Sequence, residues 1–423
     1  MTAAVTTPGA APAKPFREVW LITIGHSLTH WYPATFYLLL PLIGKELGLS
    51  YSEIGFIMTC QYVAGAISNI PGGMVVDTVG RKGLLMAVSL FWVGVPYFLM
   101  SFTHSYWVLL LCVSLVGIGN NLWHPTAIPL LAQIFPDRKG LALSFHSMGG
   151  NVGDALAPLA VGALLVFMSW RNIVILNVVP GVIMASLILY FLGALRGGSA
   201  KRKVQQEKAI EDKHEGQSVT EYFRGLSELV KNRELLMLSI GSGFRSMTQN
   251  GLLTFLPVFL AYEMGYSPVW VGLCMFMLQA AGFAAAPVAG YLSDRMGRRR
   301  IIMSSMLMTA VVLAAMAFAG RSVAFVFMIA TLGFFLYAIR PVLQAWTLEC
   351  TPKKMGGTSI GVLFGVQAVG SSIGPAIGGG LADRYGLMSV FFFLAVTIVI
   401  ANLFVFFMPS RAHAGAQGRV TAD

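Results

Sequence analysis

About 20 consecutive apolar residues are enough to cross a bilayer as a helix, and this 423-residue chain supplies such runs almost end to end. Twelve can be read, near 18–44, 52–76, 83–103, 106–134, 141–167, 172–195, 234–262, 269–292, 300–319, 323–349, 357–382 and 387–409. Hydrophobic residues make up 56% and charged residues only 11%, against about 25% charged in a soluble domain. Too little polar surface remains to coat a water-soluble globule. The expected fold class is an all-α membrane protein with twelve transmembrane helices.

The chain also repeats itself. Gly73-Met-Val-Val-Asp77-Thr-Val-Gly80-Arg81-Lys82 returns 217 residues later as Gly290-Tyr-Leu-Ser-Asp294-Arg295-Met-Gly297-Arg298-Arg299. At the same offset Glu46, Gly48, Ser50 and Gly55 match Glu263, Gly265, Ser267 and Gly272, while Gly153, Pro158 and Gly162 match Gly370, Pro375 and Gly379. Unrelated apolar helices would not keep one offset at so many Gly and Pro positions. Two pseudo-symmetric six-helix halves are expected, 18–195 and 233–410, in parallel orientation. Tails 1–17 and 411–423 and a hydrophilic linker, 196–232, complete the chain. Within the linker, Ser218-x-x-Glu221 has the form of a capping box ahead of a short amphipathic helix.

The net charge of +11 would suit nucleic acid, but its placement argues otherwise. With twelve alternating spans, Arg81, Lys82, Arg138, Lys139, the 196–213 cluster, Arg295, Arg298, Arg299, Arg300, Lys353, Lys354 and Arg411 fall on one side. Lys45, Arg171, Arg321 and Arg384 fall on the other, with Glu46, Glu263 and Asp383 close by. This is the positive-inside bias. It places both termini in the cytoplasm of a bacterial-type plasma (inner) membrane, with lipid and not nucleic acid as the partner. The N-terminal stretch is no signal peptide. Cys60, Cys112, Cys274 and Cys350 are scattered and form no CxxC pair, so neither disulfides nor structural zinc is expected.

The doubled Gly-x-x-x-Asp-x-x-Gly-Arg-Lys/Arg signature resembles that of the major facilitator superfamily, and the resemblance spans nearly the whole chain. The first copy carries Thr78 where a basic residue is usual. The resemblance implies the major facilitator fold, alternating access, and a gating role for both motifs. Gly149-x-x-x-Gly153-x-x-x-Ala157-Pro158-x-x-x-Gly162 looks like the Gly-Pro-rich motif of the family's antiporters, with Ala157 in place of a glycine. Small residues at every fourth position also simply pack helices. Gly117-Ile-Gly119-Asn120-Asn-Leu-Trp-His124-Pro125, His146-Ser-Met-Gly149-Gly150-Asn151-Val-Gly153, Leu363-Phe364-Gly365 and Gly380-Leu381-Ala382-Asp383 resemble the fosmidomycin-resistance-type branch, which implies drug or toxic-compound efflux. His30 stands near a position where that branch often has an acidic residue.

Ionisable groups inside a membrane are expensive and so point to function. Runs 1, 4, 7 and 10, which line the central cavity in this superfamily, carry His26 and His30, Asn120 and His124, Arg245 and Gln249, and Tyr337, Arg340 and Gln344. Spacings of three or four put each set on one helix face. Arg245 and Arg340 stay charged, and their planar forks suit carboxylate, phosphate or phosphonate. These eight residues other than His26 are the expected substrate contacts. Asp154, in run 5, is either an internal partner for the arginines or a proton carrier, and His26, His30 and His124 titrate in a range that allows proton coupling. The competing reading of each histidine is a buried hydrogen-bonding residue, and His146, near the end of run 5, is read that way. His26, His30 and His124 could bind a metal together, but no ligand-spacing signature is present and no metal is assigned.

No nucleotide-binding loop, catalytic triad or cofactor fingerprint appears, so no cofactor and no enzyme is expected. The chain reads as a monomeric secondary transporter that exports a small, plausibly anionic, organic solute in exchange for protons. Two other readings stand beside it: a proton-coupled importer of an anionic metabolite, and a membrane sensor or assembly protein that moves nothing.

Overall fold

In the computed structural model, residues 16–193, 231–319, 322–351 and 356–408 are described. Residues 1–15 of the first tail, the second tail with Arg411, residues 194–230 with the expected amphipathic helix, Lys353, Lys354 and Arg321 lie outside them, as does the side chain of Asp77. The described residues are almost wholly helical: α1 Arg17–Leu47, α2 Tyr51–Val79, α3 Lys82–Met100, α4 Tyr106–Ile134, α5 Lys139–Leu164, α6 Trp170–Leu192, α7 Arg233–Tyr262, α8 Pro268–Met296, α9 Arg298–Ala319, α10 Val323–Glu349, α11 Gly356–Tyr385 and α12 Met388–Phe406. A single 3-10 turn, Pro136–Arg138, precedes α5.

Eight of these helices are long and apolar enough to cross a membrane: α3, α4, α6, α8, α9, α10, α11 and α12. The other four, α1, α2, α5 and α7, are just as long, but they carry His26 and His30, Gln61, His146 and Asp154, and Arg245 and Gln249 in their interiors. Large apolar side chains such as Trp107, Phe167, Phe318 and Phe327 stand exposed, a surface that water does not tolerate in bulk and lipid does.

Helix boundaries follow local chemistry. Ser50 caps α2 through a full capping box with Glu53, satisfying two orphan amides. Gly48 and Gly80 end α1 and α2 with φ of 63° and 65°, the left-handed region that glycine enters without strain. Their offset partners Gly265 and Gly297 also have positive φ, at 66° and 93°.

Packing divides the helices into two groups. In the first, α1 lies on α5, α2 on α4, and α3 on α4 and α6; in the second, α7 lies on α11, α8 on α10, and α9 on α10 and α12. The groups meet where α2 packs on α11, α5 on α8 and α1 on α7. Glycines set how closely the helices approach. A Cβ on Gly153 would lie 2.1 Å from the Ser27 carbonyl oxygen, and one on Gly370 2.0 Å from that of Gly243. Gly117 and Gly333 face Gln61 and Leu278 carbonyls in the same way, at 2.3 and 2.0 Å. The repeated glycines thus mark repeated backbone-to-backbone contacts.

Candidate functional site

The first wall of the site is built from α1, α4 and α5. His26 and His30 lie one turn apart on α1, and His124 reaches them from α4 just before Pro125. His146 of α5 completes the set, with its ring stacked on that of His26 at 3.8 Å and 16°. The His26 ring is 4.7 Å from that of His30 and 5.0 Å from that of His124. Gly150 makes this convergence possible, since a Cβ there would come within 2.8 Å of the His26 ring and 3.0 Å of the His30 ring. The sequence read His146 as a structural residue; the fold places it inside the histidine cluster.

His30 Nδ1 and the Asp154 carboxylate are 2.9 Å apart, each side chain about a quarter exposed. Asp154 therefore answers to His30 and to neither arginine, which corrects the expectation that it could balance them. Asn120, on the same helix as His124, has its carboxamide oxygen buried without a hydrogen-bond partner.

The opposite wall comes from α7 and α10. Arg245 is buried, with 3% of its surface exposed. It donates to Gln249 Oε1 at 2.9 Å and to the Leu336 carbonyl at 3.3 Å, while its Nε has no partner. Arg340 lies in the middle third of α10, yet it is exposed, and among the described residues no carboxylate pairs with it or with Arg245. Tyr337, Arg340 and Gln344 stand three and four residues apart on α10. The Tyr337 hydroxyl is buried without a partner. Gln344, one turn beyond Arg340, is half-buried.

A polar chain that the sequence did not single out joins the two groups. Tyr37 is hydrogen-bonded to Tyr62, which donates to Asn250 Oδ1 at 2.9 Å, and Asn250 Nδ2 donates to Ser371 Oγ at 2.8 Å. Thr59 donates to the Ser372 carbonyl at 2.6 Å. Further along the same seam, the Asp383 carboxylate accepts from the backbone amides of Tyr51 and Ser52 at 2.8 and 2.9 Å, at the N-terminus of α2 where the helix dipole favours an anion. Contacts between the groups thus cover residues 51–62 of α2 and 371–383 of α11.

The repeated motifs lie at the opposite helix ends. Asp294 pairs with Arg298 at 2.5 Å, and Arg298 also reaches Glu349 at 3.1 Å, tying the α8–α9 corner to the end of α10. Arg299 donates to the Phe406 carbonyl, and the Arg295 guanidinium sits 4.5 Å over the Tyr291 ring. At the Asp383 end, Glu46 pairs with Arg171 at 2.6 Å and accepts from Trp170. Burial would raise the Glu46 carboxyl, but the hydrogen bonds from Trp170 and Arg171 outweigh it and hold it below the usual carboxylate range.

Comparison with known proteins gives the family and the fold. The sequence model of the Major Facilitator Superfamily matches residues 19–286 and 238–422, and the chain belongs to that superfamily. It is thus a multi-pass membrane protein. The glycerol-3-phosphate transporter of Bacillus subtilis (strain 168) is 22% identical over 403 residues, covering 91% of this chain and 90% of that one. The fosmidomycin resistance protein of Escherichia coli (strain K12) is 23% identical over 395 residues, covering 93% and 92%. The crystal structure of a bacterial homologue of the human lysosomal transporter Spinster, inward-facing and occupied, has the same fold, with a TM-score of 0.78 at 18% identity and coverage of 93% and 97%.

Proposed function

We propose that this protein is a secondary active transporter that carries a small organic anion across the membrane by alternating access, coupled to protons. The observation that carries the reading is the pair of arginines, Arg245 buried and Arg340 exposed in mid-helix, with no carboxylate to neutralise either among the described residues. A buried unpaired charge is costly, and an anionic solute that bridges the two would remove that cost. In this reading Gln249, Tyr337, Gln344, Asn120, His30 and His124 supply further donors and acceptors to the solute. The B. subtilis relative is named for a phosphate ester, which is an anion of this class.

In this reading all twelve helices cross the bilayer, in two six-helix halves, 18–195 and 233–410, joined by the 196–232 linker. The motifs at Gly73 and Gly290 lie on the cytoplasmic side with both termini. The seam through Tyr51, Gly55, Pro375 and Asp383 then closes the outer side, and Arg340, His30 and Asp154 take their exposure from a cleft that opens inward. The His30–Asp154 pair would bind and release the proton. Likeness to the fosmidomycin-resistance-type branch favours export.

The test is flux in proteoliposomes loaded with small phosphate and carboxylate anions, under an imposed pH gradient of either sign. Arg245→Ala and Arg340→Ala should each lower anion flux about 10- to 100-fold, the scale of a lost charge-assisted hydrogen bond, with membrane insertion unchanged. Normal flux in both variants would refute the anion site. Absence of flux for every solute in the unmodified protein would favour the sensor reading, and the sign of the effective gradient separates export from uptake.

A further inference from the structure

We propose that His26, His124 and His146 form a binding site for a divalent d-block metal ion of the zinc class. One ligand-capable nitrogen from each ring lies within 4.8 Å of the other two. The residues come from three different helices, α1, α4 and α5, so the site is a product of the packing and not of sequence spacing.

The hydrogen bonding of the cluster prepares it for a metal. His26 Nδ1 lies 2.6 Å from the His146 carbonyl oxygen. A carbonyl can only accept, so Nδ1 carries the proton and Nε2 presents its lone pair. Metal-bound imidazoles are commonly fixed in this way, by donating the other ring N–H to a carbonyl. His26 Nε2 is buried and has no hydrogen-bond partner, and the same is true of both ring nitrogens of His146. Only 5% of His26 and 3% of His146 is exposed. Buried polar atoms are nearly always partnered, and here several orphans point into one small volume.

The donor set selects the metal. Three neutral imidazoles suit zinc, copper, nickel and cobalt, whereas magnesium and calcium want oxygen. His30 is not a member of this mutually close set of three, and its Nδ1 is paired with Asp154. Three ligands leave a fourth tetrahedral position open. Bond lengths of about 2.0–2.1 Å at a tetrahedral centre place ligand nitrogens roughly 3.4 Å apart, so the rings draw together on binding. The parallel stack of His26 and His146 opens as they do, because a metal lies in the plane of each ring it bonds. The site uses residues of one wall only and does not depend on anion transport.

The experiment is a titration of the purified full chain, free of any affinity tag, with Zn2+ by calorimetry and with Co2+ by visible absorption. The expected result is one ion per chain and a tetrahedral-type Co2+ spectrum. Affinity should fall at least about 100-fold in His26→Ala, His124→Ala and His146→Ala, and stay unchanged in His104→Ala, which lies outside the cluster. His146→Gln keeps the side-chain bulk and should lose binding equally, with an unaltered melting temperature in the absence of metal. Equal affinity in the unmodified chain and all four cluster variants overturns the proposal. So does loss of binding in His30→Gln while His146→Gln still binds.

Discussion

His30 and Asp154 are 124 residues apart in sequence and 2.9 Å apart in space. Both could be singled out in the sequence as ionisable groups within apolar runs, but nothing in the order of residues said that they would meet. The sequence equally allowed Asp154 to balance an arginine; packing of α5 on α1 gave it to His30. On the proposed mechanism, this carboxylate–imidazole pair carries the proton from one side of the membrane to the other. Asp154→Asn should therefore uncouple the protein. Accumulation driven by a pH gradient is expected to disappear, while exchange of labelled for unlabelled solute persists within about threefold. Proteoliposome assays of both modes check this, and retained pH-driven accumulation in the variant would assign the proton elsewhere. His146 shows the opposite failure of legibility. Its position near a helix end looked structural, and only the packing of α5 on α1 stacks its ring on that of His26.

At the level of helices, glycine spacing was readable and its consequences were not. Gly55 and Gly272 were visible as an offset pair, and the structure places both on the seam between the helix groups. A Cβ on Gly55 would lie 2.2 Å from the Pro375 carbonyl oxygen, and one on Gly272 2.3 Å from that of Pro158. Neither backbone atom can move aside without shifting its helix. Gly55→Leu or Gly272→Leu should wedge the α2–α11 or the α5–α8 contact apart, at the cost of about 1–3 kcal/mol typical of overpacking. The closed form of this end should become correspondingly rarer. Labelling of a cysteine placed at Tyr51 by a membrane-impermeant reagent measures the change, and an unchanged labelling rate in both variants would show that the seam does not govern access. Gly370 and Gly374, by contrast, approach Gly243 and Met247 within one group. The Gly-Pro-rich stretches of α5 and α11 thus serve both kinds of contact, which the sequence pattern could not separate.

For the whole molecule, the proposed alternating access requires that the seam part and reform. Ser52 and Asp383 meet across it through a backbone amide and a carboxylate, which makes them a natural pair for a reversible tether. With the four native cysteines replaced, Ser52→Cys with Asp383→Cys should form a disulfide under oxidation, stop solute flux, and recover on reduction. Flux that continues in the cross-linked protein would mean that the two groups do not separate here. Sequence alone determined that the chain is helical and belongs in a membrane, because runs of apolar residues leave the backbone no other way to satisfy its hydrogen bonds in lipid. It also determined the internal repeat, because glycines and prolines at a constant offset record the same close approaches twice. Tertiary structure decided which polar groups meet: among the described residues it left Arg245 and Arg340 without a carboxylate, gave Asp154 to His30, and brought His146 to His26 and His124. These are contacts between helices distant in sequence, set by three-dimensional packing that no periodicity along one helix encodes.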